Sequence, residues 1–341
     1  MNRHRRALQQ IAEARPAVLD GAPDRPAPHF SDVSSSLPRA PRPRRRLALA
    51  GLVPTVAAAA IGIAVALSTS DPGTDLRPPQ TQAESPTARS VLLAAAAQTA
   101  TGTQPAGTYW ITKTEQQVRY DVGGYTVLAR IENETWHALN PGVDDVSAIT
   151  WLGAAPATAA DEAAWKQAGS PTSWESVTPD GRPGRQISAA ARDRKVEEVP
   201  PFGFALLNRD LTYADVQALP TDPGLLKAYL SGLDPRGVDD ELLFSLGTQI
   251  LTQLPVSPQV RAAVYRMLAE VPGLTITPSE QDAKGRTGVG VTHGFRNSDG
   301  STYEVKLIID PQSGDLLATA DRQGSTLRLG DRFSDEAPPK S

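Results

Sequence analysis

The chain has 341 residues, 34 basic and 38 acidic side chains, a formal net charge of −4 and no cysteine. Such a length allows one large domain or two small ones. The missing cysteine excludes disulfides and thiolate metal sites, so any folded part must be held by its hydrophobic core.

The charge is unevenly placed. Residues 1–46 contain ten Arg and only four acids, whereas the remainder is strongly acidic. That remainder argues against nucleic acid as a partner, because phosphate binding needs a basic face.

Residues 2–20 carry one short amphipathic stripe (Leu8, Ile11, Arg15, Leu19) interrupted by Pro16, and the Pro-rich stretch 21–43 reads as linker. The segment 1–46 is therefore expected to be a basic, largely disordered cytoplasmic tail. Leu47–Leu67 follows, 21 residues without a charge. As a helix it would span roughly 30 Å, one hydrocarbon thickness. Arg42, Arg44, Arg45 and Arg46 stand directly before it, and the next basic residue is Arg77. The positive-inside rule places the N-terminus in the cytoplasm and the rest outside. A cleaved signal peptide is the rival reading, with Ala64-Val65-Ala66 as its site. Its basic region would be far too long and its apolar run too long as well. A single-pass plasma-membrane anchor is thus expected at 47–67, then a Pro-rich linker at 68–86.

An extracytoplasmic domain is expected over 87–333. It starts with an Ala-rich helix over Ala88–Thr101, Val91, Leu92 and Ala95 facing a core. Strands over Tyr109–Tyr120 and Tyr125–His137 follow, joined by Asp121-Val122-Gly123-Gly124. Ala159–Ala168 reads as a helix stopped by Gly169 and Pro171, and 171–201 as a long loop. Thr221-Asp222-Pro223 begins a helix with Leu225, Leu226, Tyr229, Leu230 and Leu233 inward. Asp239–Leu254 and a helix from Ser257-Pro258 to Val271 complete the helical middle. Strands at Leu274–Thr277, Gly288–Phe295, Tyr303–Ile309 and Leu316–Asp321 form a closing meander, and 334–341 reads as a disordered tail. The fold class is α+β: a transmembrane helix, then antiparallel sheet packed with helices.

Several of these phrases together resemble a family of actinobacterial single-pass membrane proteins of unknown function. They are Gly107-Thr108-Tyr109-Trp110, Ala164–Pro171, Leu219–Pro223, the helix Arg261–Pro272 and the hairpin Asp310–Leu317, in this order behind the Arg-flanked span. The likeness covers nearly all of 44–325. Members are often encoded beside extracytoplasmic-function sigma factors, which implies a sigma factor or other regulatory protein as partner. The family implies no catalytic residues. The layout also looks similar to the half-open barrels of periplasmic lipoprotein carriers and envelope-stress sensors, without a shared motif.

Motifs for chemistry are few. Of four histidines only His137 and His293 follow the span, and no Gly-x-Ser-x-Gly elbow accompanies them. No His-x-x-x-His pair suggests zinc. Gly288–Gly294 has GxGxxxG spacing but no following helix, so it reads as a Gly-rich strand rather than a nucleotide loop. Asn297-Ser298-Asp299-Gly300 lacks the calcium-loop pattern, and Asp239-Asp240-Glu241 fits a helix N-terminus. Asn133-Glu134-Thr135 spells a glycosylation sequon within a predicted strand. No catalytic residue, cofactor or metal is expected. All five tryptophans lie within 110–174. Most fit a core, but Trp165 and Trp174 flank the Gly169–Pro171 turn, where they could form an aromatic binding face. A lipid ligand is the alternative expectation, seated between the Leu-rich helices and the concave face of the last strands.

Overall fold

The computed structural model describes residues 86–340 except 104–105, 179–180, 202, 208 and 298. The expected tail 1–46, the span 47–67 with its four arginines, and all but the last residue of the linker 68–86 lie outside the described residues. Among the described residues no helix is long and apolar enough to cross a membrane.

The described part is α+β and built on antiparallel sheet. Helix α1 (Ala88–Thr99) precedes strands β1 (Tyr109–Asp121), β2 (Thr126–Ala138) and β3 (Asp145–Pro156). Helix α2 (Ala159–Gln167) leads into β4 (Ser173–Val177), β5 (Pro183–Ser188), β6 (Lys195–Val199), β7 (Phe204–Leu206) and β8 (Arg209–Leu211). Helices α3 (Tyr213–Gln217), α4 (Pro223–Ser231), α5 (Asp240–Gln253) and α6 (Pro258–Leu268) follow. The chain closes with β9 (Thr275–Gln281), β10 (Thr287–Arg296), β11 (Thr302–Ile309), β12 (Leu316–Asp321) and β13 (Gly324–Ser334).

The helix starts follow from local chemistry. Thr87 accepts from the Ser90 amide and Ser90 accepts from the Thr87 amide, a reciprocal cap at α1. Asp222, Asp239 and Ser257 cap α4, α5 and α6, with Pro223 and Pro258 in the first turn.

One nine-stranded sheet, ordered β6-β3-β2-β1-β13-β12-β11-β10-β9, organises the domain. The N-terminal and C-terminal meanders are separate in sequence but fuse where β1 pairs with β13 from Tyr109↔Ser334 to Val118↔Gly324. Strand β13 was not expected from the sequence, yet it makes the two meanders one sheet. It runs one residue past the 333 boundary, and Asp335 in the expected tail accepts from the Thr108 amide and hydroxyl. Gly324 permits the close approach, since a Cβ there would collide with the Gln117 carbonyl.

The expected loop over 171–201 is corrected: it contains β4, β5 and β6. Strand β6 reads KVEEV and pairs with half of β3 at the sheet edge. Its charges suit an edge that must not recruit another strand, and they hide it from a hydrophobicity reading. Strands β4 and β5 form a separate ribbon.

The two faces of the sheet differ. The inner face carries Val289, Val291, Phe295, Val305, Leu307 and Ile309, which join the buried stripes of α4, α5 and α6 in the main core. Gly247 of α5 lies against the Leu268 side chain, so α5 and α6 pack closely. Tyr265 is fully buried and donates to the Gly314 carbonyl at 2.9 Å, tying α6 to the β11–β12 turn. Burial pushes its phenol up to about 12, so it remains a neutral donor. In α4, Leu226 and Leu230 point inward, but Leu225 is 65% exposed, contrary to expectation. A nine-residue helix offers only a narrow stripe, and its neighbour Leu226 occupies it.

The outer face is held by a clasp. The β9–β10 hairpin tip reaches over three intervening strands to β1, where Lys284 Nζ lies 2.6 Å from Glu115 Oε2. Arg130 Nε lies 2.8 Å from the other oxygen and Gln117 donates at 3.1 Å. Arg286 donates to the Arg328 and Leu317 carbonyls and to the buried Asp282 carboxylate. Near these contacts, Ile308, Ala318 and Leu327 form a small buried cluster. The Glu115 side chain has no exposure. Burial alone would raise its pKa, but the bonds from Arg130, Lys284 and Gln117 outweigh burial and hold it at about 2.

This group therefore stabilises the fold fully above its ordinary value of 4.5, and that contribution is lost as pH falls toward about 2. Glu115→Gln is expected to cost about 3 kcal/mol at neutral pH, because it strands two cations without their anion. Urea denaturation at a series of pH values checks this. The native chain should lose stability below pH 4.5 and the variant should lose less.

Candidate ligand-binding groove

The inner face of the sheet changes character along its width. Over β10 and β11 it is apolar and covered. Over β2 it meets the β4–β5 ribbon, where Val127, Trp174 and Ile187 form a separate small core. Between these covers lies an open groove of about 540 Å³, bounded by the second half of α5 and floored by β1, β12 and β13.

Strand register builds the floor. Ile131 of β2, Gln116 of β1, Thr326 of β13 and Thr319 of β12 fall in one cross-strand row. Thr114 stands beside Arg328 in the neighbouring row. The wall comes from α5, whose Thr248, Gln249, Thr252 and Gln253 face the groove. The opposite face of that helix, with Leu243, Phe244, Ile250 and Leu251, is buried in the core. Spacing of one turn thus gives α5 an apolar side for the core and an uncharged polar side for the groove.

The polar groups divide into committed and free. Thr248 and Thr252 hydroxyls donate to the carbonyls one turn back, at 2.9 and 2.8 Å, and keep their acceptor capacity. Arg328 Nη1 donates to the Thr252 carbonyl at 2.9 Å, and its guanidinium also pairs with Asp331. Burial, aided by nearby Arg261, lowers Arg328 to about 10, still a cation at neutral pH. It ties the end of α5 to β13. Arg185 at the far end contacts the Tyr120 hydroxyl at 3.4 Å. The side chains of Thr114, Gln116, Thr319, Gln323 and Thr326 make no hydrogen bond to any described residue, yet all line the groove.

The residues singled out from the sequence sit elsewhere. Trp174 is 6% exposed and its indole N–H donates to the Tyr125 hydroxyl at 2.8 Å. Trp165 is half-buried in the same cluster and donates to the Pro171 carbonyl at 2.9 Å. The pair is held in the β4–β5 core and presents no joint exposed face. On the expected lipid route Leu246 is 2% exposed, and the inner stripes of α4, α5 and α6 join the strand side chains in one buried cluster. The open space lies beside that route and is polar. His137 contacts Asp145 and stacks on Trp110, with ring centres 5.1 Å apart. His293 is buried between Phe244 and Phe295. Neither histidine lines the groove. Gly288–Gly294 falls within β10, and Asn133–Thr135 within β2. Asp299 accepts from Ser301 in a tight turn, and Asp239 caps α5. Among the described residues no acidic and histidine side chains cluster as metal ligands do.

No protein family, curated protein or solved structure matches the chain.

The two kinds of residue should separate under substitution. Trp174→Ala is expected to cost about 3–5 kcal/mol, since it empties the small core. Gln116→Ala should change stability by less than about 0.5 kcal/mol, because its side chain supports nothing in the fold. Denaturation followed by far-UV circular dichroism compares them directly.

Proposed function

We propose that the chain is a non-catalytic, single-pass membrane protein of the cell envelope whose α+β domain binds a ligand outside the membrane. The observation that carries this reading is the groove, where the side chains of Thr114, Gln116, Thr319, Gln323 and Thr326 make no hydrogen bond to any described residue. Residual polar groups of this kind are satisfied by water or by a bound molecule. The uncharged run Leu47–Leu67 behind Arg42, Arg44, Arg45 and Arg46 supports the anchor and its orientation. The basic tail suits the anionic inner leaflet and leaves a short segment for a cytoplasmic partner. A sigma factor or other regulatory protein as that partner rests on the family resemblance alone. Ligand occupancy outside and a partner inside would make the protein a sensor or regulator.

Native mass spectrometry of the full chain, purified from its own membranes, tests the binding reading. A bound species should accompany the native chain and be missing from Thr326→Trp and from Gln116→Trp, each of which fills the groove. Loss of a lipid would favour the carrier alternative. No bound species, or one retained by both variants, would contradict the groove as the site. Topology is tested separately. A phosphatase fused after Thr74 should be active and one after Arg25 silent, and the reverse pattern would overturn the orientation.

A further inference from the structure

We infer that the groove takes a neutral, hydroxyl-rich ligand, an oligosaccharide. This rests on the groove being the binding site and goes further by naming what fits it.

The lining decides the class. Gln116 and Gln323 each offer a free amide donor and acceptor, and Thr114, Thr319 and Thr326 each offer a hydroxyl that does both. Gln249 donates to the Ala205 carbonyl and to Gln253 Oε1, which leaves the Gln249 oxygen and the Gln253 nitrogen for a ligand. Sugar hydroxyls have the same dual character, so each can bond a donor and an acceptor at once. Uncharged groups also exchange water for ligand at a smaller desolvation cost than charges do. Val118, Ile131, Val305 and Ala320 put apolar patches between the polar positions, and Tyr120 closes one end. Apolar patches of this size suit the C–H faces of sugar rings. The groove volume of about 540 Å³ admits several rings and far exceeds an ion.

Other classes fit poorly. A phosphate or carboxylate needs converging cations, but Arg328 is committed to Thr252 and Asp331, and Asp321 lies in the same lining as Arg185. An extended peptide needs a free sheet edge, whereas β1, β12 and β13 are each paired on both sides. An acyl chain needs an apolar floor, and the floor row is Ile131, Gln116, Thr326 and Thr319.

The test titrates the full chain in detergent with two defined probes, chitotetraose and maltotetraose, followed by calorimetry. Saturable binding of at least one probe is expected. The paired change Gln116→Ala with Thr326→Ala should weaken it by about tenfold or more. Gln312→Ala, in the exposed β11–β12 turn, should leave it unchanged, and added salt should have little effect. Unaltered thermal midpoints show that the variants fold. Binding of neither saccharide, binding insensitive to the paired change, or salt-sensitive binding of inorganic phosphate in their place would overturn the inference. If the saccharides fail while the species found by native mass spectrometry still disappears on filling the groove, the ligand class is wrong and the site stands. If both fail, the site falls as well.

Discussion

Among the described residues, the helices leave part of the inner face of the nine-stranded antiparallel sheet uncovered. At about 4.8 Å per strand the sheet is roughly 40 Å across, whereas each helix covers a strip of about 10 Å. The helices concentrate on one end, where α5 and α6 bury the apolar face of β10 and β11, while α1 packs behind them on α6. The β4–β5 ribbon and Trp174 cover the other end. What remains between is polar, and among the described residues no helix or strand lies over it. Composition along a single face thus records where the covers stop.

The charges follow the same division. On the outer face Lys113 pairs with Glu132, and Arg194 and Arg332 both meet Glu134. Exposed pairs of this sort contribute little each. Glu115 differs because it is fully buried and shared by cations from two separate parts of the sheet. It fixes the β9–β10 hairpin across the back of β1. The groove itself is lined mostly by uncharged groups. A cleft serving only solvent has no such requirement, since charged side chains are equally at home in water.

Much of the element list was legible in the sequence. Asp222-Pro223, Asp239 and Ser257-Pro258 announced their helices through capping chemistry, and Asp121–Gly124 announced its hairpin. Three failures have distinct causes. Lys195–Val199 hides its strand because an edge strand keeps its charges. Gly324–Ser334 hides its strand among Gly330, Asp331 and Arg332, although Leu327 and Leu329 alternate as an outer face should. Trp174 looks available in the sequence because few apolar residues surround it, and only the β4–β5 pairing buries it. The groove was least legible. Gln116 and Thr326 become neighbours only through the β1–β13 register, a long-range pairing with no local signal. The uncharged stripe Thr248, Gln249, Thr252, Gln253 was visible in the sequence but had no meaning until its opposite wall was known.

One sheet face is closed core at one end and open groove beside it. The chain has no cysteine, so single cysteines can report on each position without interference. Maleimide labelling of the native full chain should proceed readily at Gln116→Cys, Thr319→Cys and Thr326→Cys. It should be blocked at Val291→Cys and Leu307→Cys until denaturant is added. Equal protection of all five positions would mean that the groove is closed in solution, and the account built on it would fail.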